Sequence, residues 1–268
     1  MSSNTIGSRK GQDYTSKDYK YISEFLSQFG IPDNQILFIH ARLKGLKKES
    51  VLDDLDYETL TKLLLDCFMD SFDPKAILVP TFTYSFTDSG VYHRNFSKSE
   101  VGRFSEETRL KFSEFRTPDP IFSVADITGF LKGKEIDYTT AFGEGGLFEL
   151  LHEENCAIIN LDLPKLLMTQ VHYIEKECDV SYRYDKMFDG VVYDDDQNWR
   201  KTEYEYFVRD LDDDPQMDYQ KREEFLSNRG SLETVKNDDI TGSWISAQEK
   251  YDLLSKKLVG NERFLLEE

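Results

Sequence analysis

The stretch Gln35-Ile36-Leu37-Phe38-Ile39-His40-Ala41 decides the fold. It is a continuous apolar run of strand length, apolar at both parities, and so predicts a strand buried on both faces that ends at His40. A helix is predicted before it, from Ser16 to Phe29, where Tyr21, Ile22, Phe25, Leu26 and Phe29 recur at three- and four-residue spacing and Gly30 supplies the stop. After it come a loop, Arg42-Leu43-Lys44-Gly45-Leu46, and a second helix from Asp56 to Phe72. Leu60, Leu63, Leu64, Cys67 and Phe68 form that helix's inner face, and Asp56 or Asp53 is its cap. Ala76-Ile77-Leu78-Val79-Pro80 is the next buried strand. A strand, a helix and a second buried strand in this order predict an α/β core.

Residues 85 to 103, rich in Ser, Gly, Asn and aromatics, read as a long loop, and loops of that length in compact domains are often functional. A helix from Ser105 to about Phe115 follows. Cys156 to Leu161 is a third buried strand, and Leu166 to Cys178 a helix. Thr202 to Leu211 alternates around Tyr204, Tyr206 and Val208 as a half-exposed strand. The tail reads as a helix (Met217 to Leu226), two short strands and a helix (Ser246 to Leu258). Residues 1–14 are expected to be a flexible N-terminus, 15–268 one α/β domain, and about 191–268 its C-terminal elaboration.

The 268 residues carry 33 Lys+Arg against 51 Asp+Glu, a net charge of −18, with 39% hydrophobic and 13% aromatic residues. That is enough apolar material for a core. The sign argues against nucleic acid and against docking on anionic lipid, both of which need a basic face. Residues 194–214 hold nine acids and three bases, a third of the net charge. They are either a solvated edge or an acidic rim that draws in a cationic substrate. Cys67, Cys156 and Cys178 have no metal-like spacing and no even count. No apolar leader core or membrane-length run is visible, so a cytoplasmic protein is expected.

Four histidines are available for chemistry. His93 and His152 read as surface residues. His40 closes a buried strand, either satisfied there or beside a ligand. His172 lies in Met168-Thr169-Gln170-Val171-His172-Tyr173-Ile174-Glu175, with Glu175 one helical turn on. A carboxylate beside an imidazole fixes its tautomer and raises its basicity, as a general base needs, although such pairs are common on helices. No second HxxE or HExxH offers metal ligands, so no metal is expected. There is no G-x-S-x-G elbow, no phosphate-binding G-x-x-x-x-G-K loop and no G-x-G-x-x-G fingerprint. Phe142-Gly143-Glu144-Gly145-Gly146-Leu147 reads as a turn.

Five strings taken in order change this picture: His40-Ala41-Arg42-Leu43, Pro80-Thr81-Phe82-Thr83-Tyr84, Arg116-Thr117-Pro118-Asp119-Pro120 onward to Ser123 and Val124, Phe142 to Phe148, and Thr169 to Glu175. Together they resemble the aminoglycoside 3-N-acetyltransferase family, whose pattern runs H-[ST]-S-L, P-T-F, R-S-x-H-P-x-x-S, F-G-x-G-S-P and T-x-x-H-x-x-E. The match covers about residues 35–190. The resemblance implies a mixed central β-sheet flanked by helices on both faces, and an N-acyltransferase that uses acetyl-CoA or another acyl-CoA. It implies His172 as catalytic base with Glu175 as its partner. It implies a coenzyme A groove lined by His40, Ala41, Arg42, Leu43, Pro80, Thr81, Phe82, Arg116, Ser123 and Val124.

The sequence departs from that pattern at Ala41 and Arg42, at Asp119 in place of a histidine, and at Gly146 in place of a serine. Its C-terminal part looks more like members that acylate nucleotide-linked amino sugars for surface polysaccharides. The expected acceptor is therefore such a sugar, for example a dTDP-3-amino-3,6-dideoxyhexose, with Tyr84, Arg183, Lys186 and Arg209 on the acceptor side. An aminoglycoside antibiotic is the alternative, and a non-catalytic binding protein a third. The sequence leaves a homo-oligomer open.

Overall fold

The computed structural model describes residues 14–48, 52–212, 215–237 and 240–267. Residues 1–13 of the expected N-terminal tail lie outside them. Helix α1 (Ser16–Leu26) opens with a capping box between Thr15 and Asp18. The apolar run is strand β1 (Ile36–Ala41). The predicted loop after it winds into a one-turn helix, α2 (Leu43–Leu46). Helix α3 (Tyr57–Phe72) takes Asp56 as cap, its carboxylate accepting from Thr59 N at 2.7 Å. Strand β2 (Ala76–Pro80) follows as predicted.

The predicted long loop holds a short helix, α4 (Phe86–Ser89), and strand β3 (Val91–His93). The next helix starts earlier than predicted, as α5 (Arg103–Glu107), and widens into a π turn over Thr108–Phe112. Next come β4 (Phe115–Arg116), β5 (Val124–Asp126), α6 (Leu147–Glu153) and β6 (Ala157–Leu161). The helix expected from Leu166 is much shorter, α7 (Val171–Glu177). The Asn160 side chain, on β6, bonds both Leu167 N (2.7 Å) and Leu167 O (2.9 Å), which holds that segment extended and delays the helix. Strands β7 (Arg183–Tyr193) and β8 (Trp199–Arg209) form a long hairpin; β7, rich in charge, escaped the sequence reading. The chain ends with α8 (Tyr219–Ser227), β9 (Glu233–Lys236), β10 (Thr241–Ser246) and α9 (Ala247–Gly260).

Seven strands form a mixed sheet in the order β4-β5-β2-β1-β6-β10-β9, and β3-β7-β8 form a second sheet. Among the described residues, β2, β1 and β6 form the parallel part of the large sheet, and β5 and β10 pair antiparallel on either side of them. The double parity of the apolar runs now has its reason. Ile36 and Phe38 point into one core with Leu78 and Ile158, whereas Leu37 and Ile39 point into another with Ile77 and Ile159. Residues from α6, α7, α8 and α9 fill the first core, and residues from α1 and α3 the second. The expected α/β fold, a mixed sheet with helices on both faces, is the one observed.

After β1 the chain crosses to β2 on one side, and β6 later adds on the other. The carboxyl ends of these parallel strands therefore diverge around a crevice, where α/β proteins place their ligands.

Candidate active site

A cavity of about 630 Å³ occupies that crevice. His40 and Ala41 at the end of β1, Pro80 and Phe82 after β2, and Leu163 after β6 form part of its wall. His172 reaches it from α7, and Tyr182 and Arg183 from the start of β7. Pro215, Met217, Tyr219, Arg222 and Leu266 close it from the C-terminal part of the chain.

His172 and Glu175 meet as their spacing predicts, with Nδ1 2.7 Å from Glu175 Oε2. Glu175 is fully buried, while His172 keeps 25% of its side chain exposed. Tyr182 OH donates to Glu175 Oε1 at 2.9 Å. Arg183 Nε lies 2.8 Å from Oε2, an ion pair without hydrogen-bond alignment. Burial pushes the Glu175 carboxyl up, but His172, Arg183 and Tyr182 outweigh it and hold Glu175 below its usual range. Glu175 is therefore ionised and accepts from Nδ1–H, which leaves the lone pair on His172 Nε2. Burial, and next Arg183, push the His172 imidazole below its ordinary value, against the opposing pull of Glu175. The ring is neutral at neutral pH and ready to accept a proton. The ring of Phe142 packs edge-on against it, 5.5 Å between centres.

Replacing Glu175 by glutamine removes the charge that raises the imidazole's basicity. The expected result is a kcat loss on the order of 10- to 100-fold, smaller than that of removing the imidazole itself because the amide keeps the side chain's shape. The acid limb of the pH–rate profile should move to lower pH. An unmoved limb would remove Glu175 from that role.

The other expected site residues divide. His40, Ala41, Pro80, Phe82, Tyr84, Arg183 and Arg209 all line the cavity. His40 is buried, its Nε2 has no hydrogen-bond partner, and burial lowers its pKa to about 3, so it is neutral. The cavity does not reach Arg42, Leu43, Thr81, Arg116, Ser123, Val124 or Lys186. Arg42 is tied to Asp162, through the Asp162 carbonyl at 2.7 Å and its carboxylate at 3.0 Å. Leu43 and Val124 are core residues. Lys186 is exposed on β7, its Nζ 5.1 Å from the centre of the Phe188 ring.

Arg116 is buried and uses its guanidinium entirely within the protein. It donates to Thr81 Oγ1, Thr81 O, Thr83 Oγ1, Arg94 O, Ser97 O and Ser123 Oγ, all at 2.6–3.1 Å. The R-T-P segment thus knots the cavity wall from behind. Asp119 sits in the same segment, where Tyr206 OH (2.7 Å) and Phe122 N (2.9 Å) bond it and burial raises its pKa to about 7.

Two glycines are explained by close approach. A Cβ on Gly45 would stand 1.2 Å from Asp162 Oδ2, in the space used by the Arg42–Asp162 pair. A Cβ on Gly146 would stand 2.6 Å from Thr140 O and 2.8 Å from Gly143 O, so the serine of the family pattern has no room here. Sequence reasoning missed Tyr182, Lys165, Tyr219 and Arg222. Only Arg222 left a signal, a base on the same helical face as Phe225 and Leu226. No group of three or more His, Cys, Asp or Glu side chains is placed to hold a metal ion among the described residues. No helix among them is long and apolar enough to cross a membrane.

A buried-carboxylate–imidazole pair opening on a crevice at diverging parallel strands is a site for proton abstraction. The family profile described as aminoglycoside 3-N-acetyltransferase matches residues 41–258, and the chain belongs to that family of acyl-CoA-dependent N-acyltransferases. The fold is shared with solved aminoglycoside acetyltransferases. The AAC(3)-IVa apoenzyme superposes with a TM-score of 0.70 at 12% identity, covering 97% of this chain and 94% of that one. AAC-IIIb, solved as a binary complex with CoASH, gives 0.70 at 12% identity over 90% and 95%. YokD from Bacillus subtilis gives 0.69 at 12% identity over 91% and 94%. No curated protein matches this chain in sequence.

Proposed function

We propose that this protein transfers an acyl group from acyl-CoA to the amine of a nucleotide-linked amino sugar. The observation that carries the acceptor is the charge of the cavity. Among the described residues, Lys165, Arg183, Arg209 and Arg222 line it against one carboxylate, Glu267, with Arg183 also paired to Glu175 behind the wall, in a chain whose net charge is −18. A polycationic antibiotic would be repelled by such a wall, and an acceptor bearing phosphates would be drawn to it. None of the acids of the 194–212 segment lines the cavity; Asp213 and Asp214 lie outside the described residues.

In the proposed reaction, His172 Nε2 takes a proton from the amine as nitrogen attacks the thioester carbonyl. The C–N bond forms, the C–S bond breaks, and coenzyme A leaves as a thiolate that recovers the proton from His172. Glu175 stabilises the imidazolium formed on the way. The contact between His172 and Glu175 supports catalysis over a purely binding role. The antibiotic alternative draws its support from the family description and from the folds of the solved relatives.

The test is acyl-CoA-dependent release of coenzyme A with dTDP-linked amino sugars beside kanamycin-type amines. Turnover is expected with the nucleotide-linked sugars. Turnover with the antibiotics alone would overturn the acceptor, and no turnover with either would overturn the acyl transfer.

A further inference from the structure

Helix α8 buries Phe225 and Leu226, and Arg222 lies on the same face, only 2% exposed. Its Nη2 donates to Leu166 O at 2.5 Å, and its Nε has no hydrogen-bond partner. No carboxylate forms an ion pair with it among the described residues; Glu175 and Glu223 act only at longer range. Glu175 is already committed to His172 and Arg183. A guanidinium taken out of water beside a single carbonyl lacks a counter-charge, a costly arrangement unless a ligand completes it.

Arg222 stands on the cavity wall. Lys165 stands on it too. Its Nζ is 3.9 Å from the centre of the Tyr219 ring, and the Arg222 Cζ is 5.1 Å from the same centre. Two cations therefore share one aromatic ring, and the stretch that supplies Arg222 and Tyr219 lies beyond the strings that carry the family resemblance.

We infer that Arg222 and Lys165 form a receptor for a phosphate-class anion carried by one of the two substrates. The guanidinium offers the fork that phosphate oxygens fit, and the ammonium on the same ring adds a point charge. The inference rests on reading this cavity as the acyl-transfer site. The anion belongs either to coenzyme A or to the acceptor.

Calorimetric titration of the full chain with inorganic pyrophosphate tests it without turnover. The unaltered protein should bind pyrophosphate, and Arg222→Met should weaken binding by at least ~10-fold. The free Arg222→Met protein should melt no lower than the unaltered one, because a buried charge without a partner has been replaced by an apolar chain. A mere structural pin to Leu166 would make it melt lower. Should Arg222→Met fail to fold, Arg222→Lys and the exposed Lys165→Ala carry the titration. No binding by the unaltered protein, or equal affinity in the variants, overturns the proposal.

The source is then read from KM. A rise confined to acyl-CoA assigns the anion to the coenzyme, to its 3′-phosphate if the rise is absent with acyl-dephospho-CoA and to its diphosphate if the rise persists. A rise confined to the nucleotide-linked sugar assigns it to the acceptor. If no amino sugar turns over, the pyrophosphate titration still decides the receptor on its own.

Discussion

His172→Ala and His172→Asn should lower kcat by at least ~100-fold, the low end of a general-base contribution, in a protein that still folds but melts somewhat lower because the buried Glu175 loses one of its donors. The side chain is partly open to the cavity, so its removal leaves no large void. Nδ1 is held by Glu175, which leaves Nε2 as the nitrogen with a lone pair. The pH profile adds an independent check. Burial and Arg183 lower the pKa of the imidazole, so its neutral form persists below the ordinary value of 6.5. A base works when unprotonated, so activity should be constant through neutrality and fall on the acid side, with a midpoint under 6.5. Near-normal turnover in either variant would remove His172 from the mechanism. An acid limb at or above 6.5 would show that its surroundings do not favour the neutral ring.

Arg116→Met should unfold the protein more easily, by on the order of 3 kcal/mol, because the carbonyls of Thr81, Arg94 and Ser97 lose a buried donor together. For a chain of this size that is a fall of about 6 °C or more in Tm. The family pattern reads this arginine as part of a coenzyme groove, and the two roles separate cleanly. A wall knot lowers Tm first and disturbs KM for acyl-CoA only through Phe82 and Tyr84. A phosphate contact would raise KM for acyl-CoA and leave Tm unchanged. That second outcome would refute the structural role.

The strands that carry the site were legible because burial on both faces leaves a plain mark, apolar residues at both parities along β1, β2 and β6. Helix α3 was legible for the same kind of reason, an apolar face at helical spacing and a capping aspartate. Strand β7 was not. Its exposed, charged residues leave no hydrophobic pattern, and its pairing along all of β8 is set by the hairpin. The late start of α7 was hidden because a single side chain on another strand, Asn160, decides it. In the site, the His172–Glu175 contact followed from a spacing of one helical turn. Arg183 was expected on the acceptor side, but its ion pair with Glu175 and the bond from Tyr182 could not be read, because both residues reach Glu175 from the start of β7.

The sequence by itself determined the α/β core, the family and the imidazole–carboxylate pair, since each rests on local periodicity or on short strings in fixed order. The tertiary structure alone decided which bases face the cavity. Arg42 and Arg116 are drawn into the protein's own acceptors. Lys186 is left outside, and Lys165 and Arg222 are brought together on one ring. The net charge of −18 had no bearing on this, because the potential in a crevice is set by the few charges that line it and not by the sum over the chain.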